Sequence, residues 1–244
     1  MTTLLIDGDI IAYQVAAGIE KPIHWGDDLW TLHSDAAEGR AILDDRLTGL
    51  LESLDADRLV IALTDGDNWR KEVYPSYKTN RAKIRKPVCL PEMRRHLSAE
   101  YETFQRPGLE GDDVLGILAT HPKLIPGEKI VVSIDKDMKT IPGLHYNLSK
   151  DDGVVEVSEA EADYWHLFQT LTGDQTDGYP GCPGIGPKKA EDILKDDPSW
   201  ERVVTAYVKA KLTEDDAIVQ ARVARILRYT DYDFKKKRPI LWTP

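Results

Sequence analysis

An α/β fold built on a mostly parallel sheet flanked by helices is predicted by three observations. Short apolar runs rich in branched side chains, TLLI at 3–6, RLVIALT at 58–64 and EKIVVSI at 128–134, read as buried strands. Segments of helical apolar spacing separate them, so the order is β-α-β-α-α-β, with right-handed crossovers between parallel strands. Each run also passes directly into an aspartate: Asp7, Asp65 and Asp135. Ligands in such sheets gather beyond the carboxyl ends of the strands, so three aspartates there share one destination. The plainer account, that Asp favours turns after strands, explains one such position better than three.

Along the chain, residues 34–54 place Ala37, Leu43, Leu47, Leu50, Leu51 and Leu54 at helical spacing, and a second helix is expected near Pro91 to Glu100. The stretch PGLEGDDVLGIL, 107–118, crowds Glu110, Asp112 and Asp113 at the head of an apolar helix. One or two acids would complement the helix dipole. Three repel one another, and a hard divalent cation relieves the repulsion. The strand-end aspartates also read D-x-D, with Asp9, Asp67 and Asp137 as second members. An extended backbone turns both acids of a pair to one side; this is expected for Asp135 and Asp137, whereas Asp9 and Asp67 read as turn or capping acids.

A hairpin is expected at 144–157, LHYNL and GVVEV around the turn KDDG. Ser158 and Glu161 form a capping box that opens a helix whose Trp165, Phe168 and Leu171 belong to the core. In GDQTDGYPGCPGIGPKKAEDIL, 173–194, Pro187 fits a first helical turn and Gly184 and Gly186 let backbone amides approach a ligand. With Lys188 and Lys189 following, this is a phosphate seat, and Asp174 and Asp177 precede it. From Pro198 two further helices are expected, with Ile218, Ala221, Ala224 and Leu227 on one face of the second; KKKRPILWTP reads as a solvated end.

The net charge of −10, from 32 basic and 42 acidic residues, argues by itself against a polyanionic partner. Its distribution argues the other way, because Arg70 to Arg95 holds nine Lys or Arg against two Glu. Such a division can hold metals in one place and phosphates beside it. Two cysteines, Cys89 and Cys182, without Cys/His metal spacing suggest neither a disulfide framework nor zinc. With no long apolar run and no leader, a soluble cytoplasmic protein without membrane contact is expected.

Five stretches, LLIDGD, YPSYKTNR, GLEGDDVLG, SIDKDMKTI and GDQTDGYPGCPGIGPKKA, occur in the order found in the flap endonuclease and 5′-to-3′ exonuclease family, which the chain resembles from residue 3 to about 195. The nuclease domains of bacterial DNA polymerase I and stand-alone bacteriophage exonucleases belong there, and the present chain is similar to the stand-alone type. The resemblance implies a PIN-like domain over 1–157 with a helical arch at about 77–97. It also implies a helical region over 158–244, with a helix-three-turn-helix DNA-binding element at about 173–195. The chain departs from the family pattern at Gly178, Leu109 and Lys189, none of which is a metal-site acid.

The resemblance places nine acids on metal-site positions. Glu110, Asp112, Asp113, Asp7 and Asp65 would hold or orient one Mg²⁺ or Mn²⁺, and Asp135, Asp137, Asp174 and Asp177 the second. Lys78 and Arg81 would grip the scissile phosphate with help from Arg70, and Tyr77 would stack on an unpaired base. Lys188, Lys189 and the Gly184–Gly186 amides would hold duplex backbone, with the family's potassium ion nearby. The implied activity is hydrolysis at DNA 5′ ends, flaps or RNA primers, on DNA or an RNA–DNA hybrid, by a monomer in the cytoplasm, the host's if phage-encoded. Two rivals stand beside it. A haloacid-dehalogenase-like phosphatase would use Asp7 as nucleophile, Asp9 as acid and Ser133 as a strand-end hydroxyl; a non-catalytic nucleic-acid clamp would keep the fold without the chemistry.

Overall fold

The computed structural model describes residues 1–150 and 153–244. In order the chain forms β1 (Thr2–Asp7), α1 (Gly8–Gly18), β2 (Lys21–His24), β3 (Trp30–His33), α2 (Ala36–Ser53), β4 (Arg58–Ala62), α3 (Arg70–Val73), α4 (Leu90–Glu100) and β5 (Thr103–Phe104). It continues through α5 (Gly111–Thr120), β6 (Glu128–Val132), β7 (Gly143–Tyr146), β8 (Val154–Val157), α6 (Glu159–Thr172), α7 (Pro187–Leu194), α8 (Trp200–Lys209) and α9 (Glu214–Ala224). A last two-stranded ribbon, β9 (Tyr232–Asp233) and β10 (Arg238–Pro239), follows, and 3₁₀ turns occupy Thr79–Lys83, Lys136–Thr140 and Tyr229–Asp231.

Six strands form the central sheet in the order β5-β4-β1-β6-β7-β8, parallel throughout except for the final β7–β8 pair. The predicted strands carry apolar side chains on both faces because both faces are covered. Leu4, Ile6, Ile61, Ile130 and Val132 pack with α1, α2 and α4, while Leu5, Val60, Ala62 and Val131 pack with α5. Burying such a side chain fully is worth about 1.5–3 kcal/mol. The covering of both faces therefore fixes the register that brings Asp7, Asp65 and Asp135 to one edge.

Helix α1 and the β2–β3 hairpin are among the elements that escaped the sequence reading. Helix α1 begins at once after β1, with the Asp7 side chain accepting from the Ile10 amide at 3.1 Å as its N-cap. A Cβ at Gly8 would stand 2.5 Å from the Ile61 side chain, so the junction is pressed against β4 with no room for a loop. The hairpin β2–β3 then stands apart from the main sheet. The expected hairpin at 144–157 is present as β7–β8; Asp151 and Asp152 of its KDDG turn lie outside the described residues.

The arch segment contains less helix than expected. Leu90, Met93 and Leu97 of α4 are buried in the core against α1 and α2. Between Tyr77 and Cys89 the chain is irregular apart from one 3₁₀ turn, with residues 79–86 exposed. Helices α6, α7 and α8 enclose a separate apolar cluster around Leu171, Leu194 and Tyr207. Beyond α9 the chain returns to the sheet: Ile226, Leu227 and Tyr232 join the cluster beneath α5. Gly116 is required there, since its Cβ would lie 2.4 Å from the Leu227 carbonyl oxygen.

Candidate metal and phosphate site

Seven of the nine predicted acids form a continuous belt at the carboxyl edge of the sheet. Asp7 ends β1, buried, and its Oδ2 accepts from Ser133 Oγ at 2.8 Å, where β6 has just ended beside it. Burial foremost, with Asp135 nearby, pushes its pKa up to about 6, although the Ile10 amide and Ser133 oppose this. Asp112, on the first turn of α5, is raised well above the usual carboxylate range by burial and by the charges of Asp7, Glu110 and Asp135, against the opposing charge of Lys78. Three acids from three separate stretches thus feel one another.

Asp135 continues the belt as N-cap of the Lys136–Thr140 turn, its Oδ1 accepting from the Asp137 amide at 2.9 Å. The chain here is a 3₁₀ turn and not the extended D-x-D that was expected. The acids of the pair nevertheless remain neighbours, and burial followed by the Asp135 charge lifts Asp137 to about 6. Asp137 Oδ1 accepts from Lys136 Nζ at 2.7 Å and from Gln169 Nε2 at 2.5 Å. The Lys136 ammonium also reaches Asp174 Oδ2 at 2.6 Å. Burial opposes ionisation of Asp174, but Lys136 and the Thr176 and Asp177 amides hold its pKa below the usual range.

Lys78 closes the belt. Its Nζ lies 2.5 Å from Glu110 Oε1 and 3.4 Å from Asp177 Oδ2, and the single Tyr77 hydroxyl proton is shared between Glu110 Oε2 at 2.9 Å and Asp177 Oδ2 at 2.8 Å. Arg81 pairs with Asp177 Oδ1 and donates to the Thr176 carbonyl at 3.1 Å. Lys78 takes the left-handed conformation at φ 55°, which aims its side chain inward while its amide bonds the Asp177 carbonyl at 2.7 Å. Burial works against Glu110, yet Arg70 and Lys78 hold it down to about 2. The two groups of acids expected to serve separate metals are therefore one belt, with Asp135 between them.

Four assignments change. Asp113 is not available as a ligand: its fully buried carboxylate takes Arg70 Nη1 and Nη2 at 2.7 and 2.8 Å, Trp69 Nε1 at 2.9 Å and the Leu227 amide at 3.1 Å. Arg70 is equally enclosed and bonds the Val223 and Arg225 carbonyls at 2.9 and 2.7 Å. It fastens α5 to the end of α9 and cannot reach a phosphate. Tyr77 is 2 % exposed, so its ring has no face free for a base. Asp65 turns away to the Gly108 amide at 3.0 Å and Gln105 at 3.3 Å, and the Gly108, Gly66 and Asp67 amides lower its pKa. It braces the loop that delivers Glu110.

Sequence reasoning missed Gln169 and Arg94 and gave Lys136 no role. Arg94 pairs with Asp9, which also accepts from the Thr64 amide at 2.8 Å. Lys136 was visible inside SIDKD; Gln169, eleven residues from its capping box, had no local signal. Lys188 and Lys189 are exposed on α7 behind Gly186, its N-cap, away from the belt. Lys189 Nζ donates to the Gly184 carbonyl at 2.8 Å. The loop ahead of them is fixed by Gly173 and Gly181, both at φ 65°, where a Cβ on Gly173 would meet the Pro180 carbonyl carbon at 2.3 Å.

Among the described residues no three acids already converge into a ligand cage. Lys78 and Lys136 lie between them. The donors are nevertheless all carboxylate oxygens, the set that suits hard divalent ions. The pKa values of Asp7, Asp112 and Asp137 are raised by burial first and by neighbouring carboxylates second.

The chain is also similar to known proteins. The family model described as the 5′-3′ exonuclease, N-terminal resolvase-like domain, matches residues 2–164. The exonuclease of Escherichia phage T7 is 35% identical, the alignment covering 99% of this chain and 93% of that protein. The exodeoxyribonuclease of Enterobacteria phage T3 is 34% identical over 99% of this chain and 92% of its own. A flap endonuclease Xni of Shewanella oneidensis matches 56% of this chain and 57% of its own length at 31% identity. In three dimensions the T5 D15 protein, crystallised with metal ions, superposes with a TM-score of 0.70 at 15% identity, covering 92% of this chain and 89% of that one. The catalytic core of Rad2 in complex with DNA gives 0.52, also at 15% identity, over 86% and 64%. The chain belongs to the 5′-3′ exonuclease family, and its activity is that of a 5′-3′ exodeoxyribonuclease or flap endonuclease.

Proposed function

We propose that this chain hydrolyses phosphodiester bonds at DNA 5′ ends and flaps, with divalent metals held on the belt of Asp7, Glu110, Asp112, Asp135, Asp137, Asp174 and Asp177. The observation that carries this reading is the belt itself, seven acids from four separate stretches with Lys78 and Arg81 at its rim. Bound Mg²⁺ or Mn²⁺ would supply an activated water and neutralise charge on the phosphate and the leaving oxygen. The protein's share is placement. Asp7, Asp112 and Asp135 form one holding group, and Asp137 and Asp174 a second, oriented by Gln169 and Lys136. Glu110 and Asp177 hold Lys78 and Arg81 until a phosphate replaces one of their carboxylate partners.

Asp65, Arg70, Tyr77 and Asp113 act on this reading as supports. Lys188, Lys189 and the amides at Gly184 and Gly186 seat duplex backbone, where phosphate contacts set position without reading sequence. A potassium ion in this element is part of the same proposal, and the Gly184 carbonyl accepts from Lys189 Nζ at 2.8 Å. We further propose 5′-ended DNA and RNA–DNA hybrids as partners of a monomer working in the cytoplasm of a host cell; no helix among the described residues is long and apolar enough to cross a membrane. The phosphatase reading fits less well. Ser133 does meet Asp7, but Asp9, its required acid, is engaged by Arg94 and Thr64.

The test is a time course on a 3′-labelled duplex bearing a 5′ flap, with Mg²⁺ and with chelator as the blank. A product at the flap junction or a ladder from the 5′ end is expected only with metal. Tight binding without cleavage in Mg²⁺ or Mn²⁺ would leave the clamp as the better reading.

A further inference from the structure

Asp9, Thr64 and Arg94 meet beside the belt without belonging to it. Asp9 lies in the first turn of α1, but Asp7 caps that helix, which leaves the Asp9 carboxylate to reach across to the end of β4. Its Oδ2 accepts from the Thr64 amide at 2.8 Å, and Arg94 on α4 pairs with its other oxygen. The Thr64 carbonyl accepts from Arg94 Nη2 at 2.6 Å and from Gln105 Nε2 at 3.1 Å. Both backbone groups of Thr64 are thus tied, although the residue lies beyond the last position of β4.

This fixed backbone aims the Thr64 side chain at α5, where its Oγ1 accepts from the Gly111 amide at 2.8 Å. The first turn of a helix leaves its amides without partners inside the helix. In α5, Glu110 and Asp113 answer each other in a capping box, and the Gly111 amide takes its acceptor from outside. Gly111 stands between Glu110 and Asp112, both acids of the belt. The fit is close: a Cβ on Gly111 would lie 3.2 Å from Asp9 Oδ2 and 3.5 Å from Thr64 Oγ1.

We infer that Thr64 is a positioning residue for the metal acids, holding Glu110 and Asp112 through the Gly111 amide, and that Asp9 and Arg94 fix Thr64 in turn. The inference rests on the nuclease reading above. Asp65 braces the same lead-in through the Gly108 amide at 3.0 Å, so the end of β4 grips the chain on both sides of Glu110. Carboxylates that repel one another spread apart unless their backbone is held. A hydroxyl acceptor supplies the hold without adding charge to the belt, whereas a carboxylate at position 64 would add to the repulsion. The carboxylate that does stand nearby, on Asp9, has its charge met by Arg94. Neighbours that orient metal-holding side chains in this way are worth roughly 10–100-fold in metal affinity.

Mn²⁺ binding to the DNA-free protein, followed by the electron paramagnetic resonance signal of the free ion, reads this hold without any turnover. Thr64→Val keeps a branched side chain and removes the hydroxyl. It should weaken Mn²⁺ binding by at least ~10-fold and raise the Mg²⁺ concentration for half-maximal cleavage by a similar factor. Thr64→Ser should restore both. Arg94→Met should weaken Mn²⁺ binding in the same direction, and Thr64→Val/Arg94→Met no further than Thr64→Val alone, because the two act along one path. Affinity for a flapped duplex in chelator should match wild type in every variant. A Thr64→Val protein that melts lower but binds Mn²⁺ like wild type would make Thr64 merely structural and overturn the inference, as would a Thr64→Ser protein that rescues nothing. Additive losses in the double variant would overturn the part given to Arg94. A wild type that binds Mn²⁺ yet cuts no flapped duplex would instead strike at the nuclease reading.

Discussion

Asp137 separates ligand from scaffold more cleanly than any other acid. Its carboxylate is raised to about 6 and accepts from Gln169 and Lys136, side chains that can turn to an amide oxygen equally well. Asp137→Asn should therefore keep the fold and DNA binding while cleavage falls by more than the roughly 10–100-fold typical of residues that only support ligands. Parallel loss of binding and cleavage would make Asp137 structural. Arg70 gives the opposite expectation. Removing one member of a buried ion pair costs about 3–5 kcal/mol, so Arg70→Met should lower the melting temperature by roughly 6–20 °C in a chain of this size. If Arg70 instead touched substrate, the variant would melt normally and bind DNA weakly.

Among the elements, α7 and its lead-in form the phosphate seat that we propose apart from the belt. Exposed Lys188 and Lys189 follow Gly186 at the start of the helix, where backbone amides and the dipole favour phosphate. Lys188→Ala/Lys189→Ala should weaken duplex binding and reduce its log–log salt slope by roughly 2, one unit per lost phosphate contact. Turnover at saturating DNA should not change; an unchanged slope would remove the seat from α7. This element was legible because Gly, Pro and Lys stood at fixed offsets from one another. The strands were legible for a similar local reason, apolar runs ending in Asp. What stayed hidden depends on distant partners. Asp112 and Asp113 are adjacent and chemically alike, yet one joins the belt and the other is consumed by Arg70, Trp69 and the Leu227 amide. Packing against α3 and the return of the chain after α9 decide between them. Tyr77 was misread likewise, since its burial is imposed by Tyr179, Val223 and Ala224 from the far end of the sequence.

Across the whole molecule, the belt depends on the C-terminal helices being docked, and a buried histidine makes that docking sensitive to pH. His166 on α6 bonds the Ala221 carbonyl of α9 at 2.8 Å, and just beyond it Val223 and Arg225, at the end of α9, present the carbonyls that hold Arg70. Burial, followed by the charge of Arg225, pushes the His166 pKa down to about 3 from 6.5. Above pH 6.5 both folded and unfolded chains hold it neutral, and it contributes no pH dependence. As pH falls below 6.5 only the unfolded chain takes the proton, so stability is lost until the folded pKa is reached. Asp7 and Asp137 act in the opposite sense, because their raised pKa values let the folded chain bind protons below about 6. The wild-type profile alone mixes these terms, and the comparison with His166→Gln separates them. The stability difference between wild type and variant should be constant above pH 7 and should then move against the wild type by up to about 1.4 kcal/mol per unit as pH falls from 6 to 4. Urea titrations at half-unit pH steps measure it directly. A difference that stays flat through that window would mean that His166 is protonated in the fold, and that α6 and α9 are not coupled to acid through it.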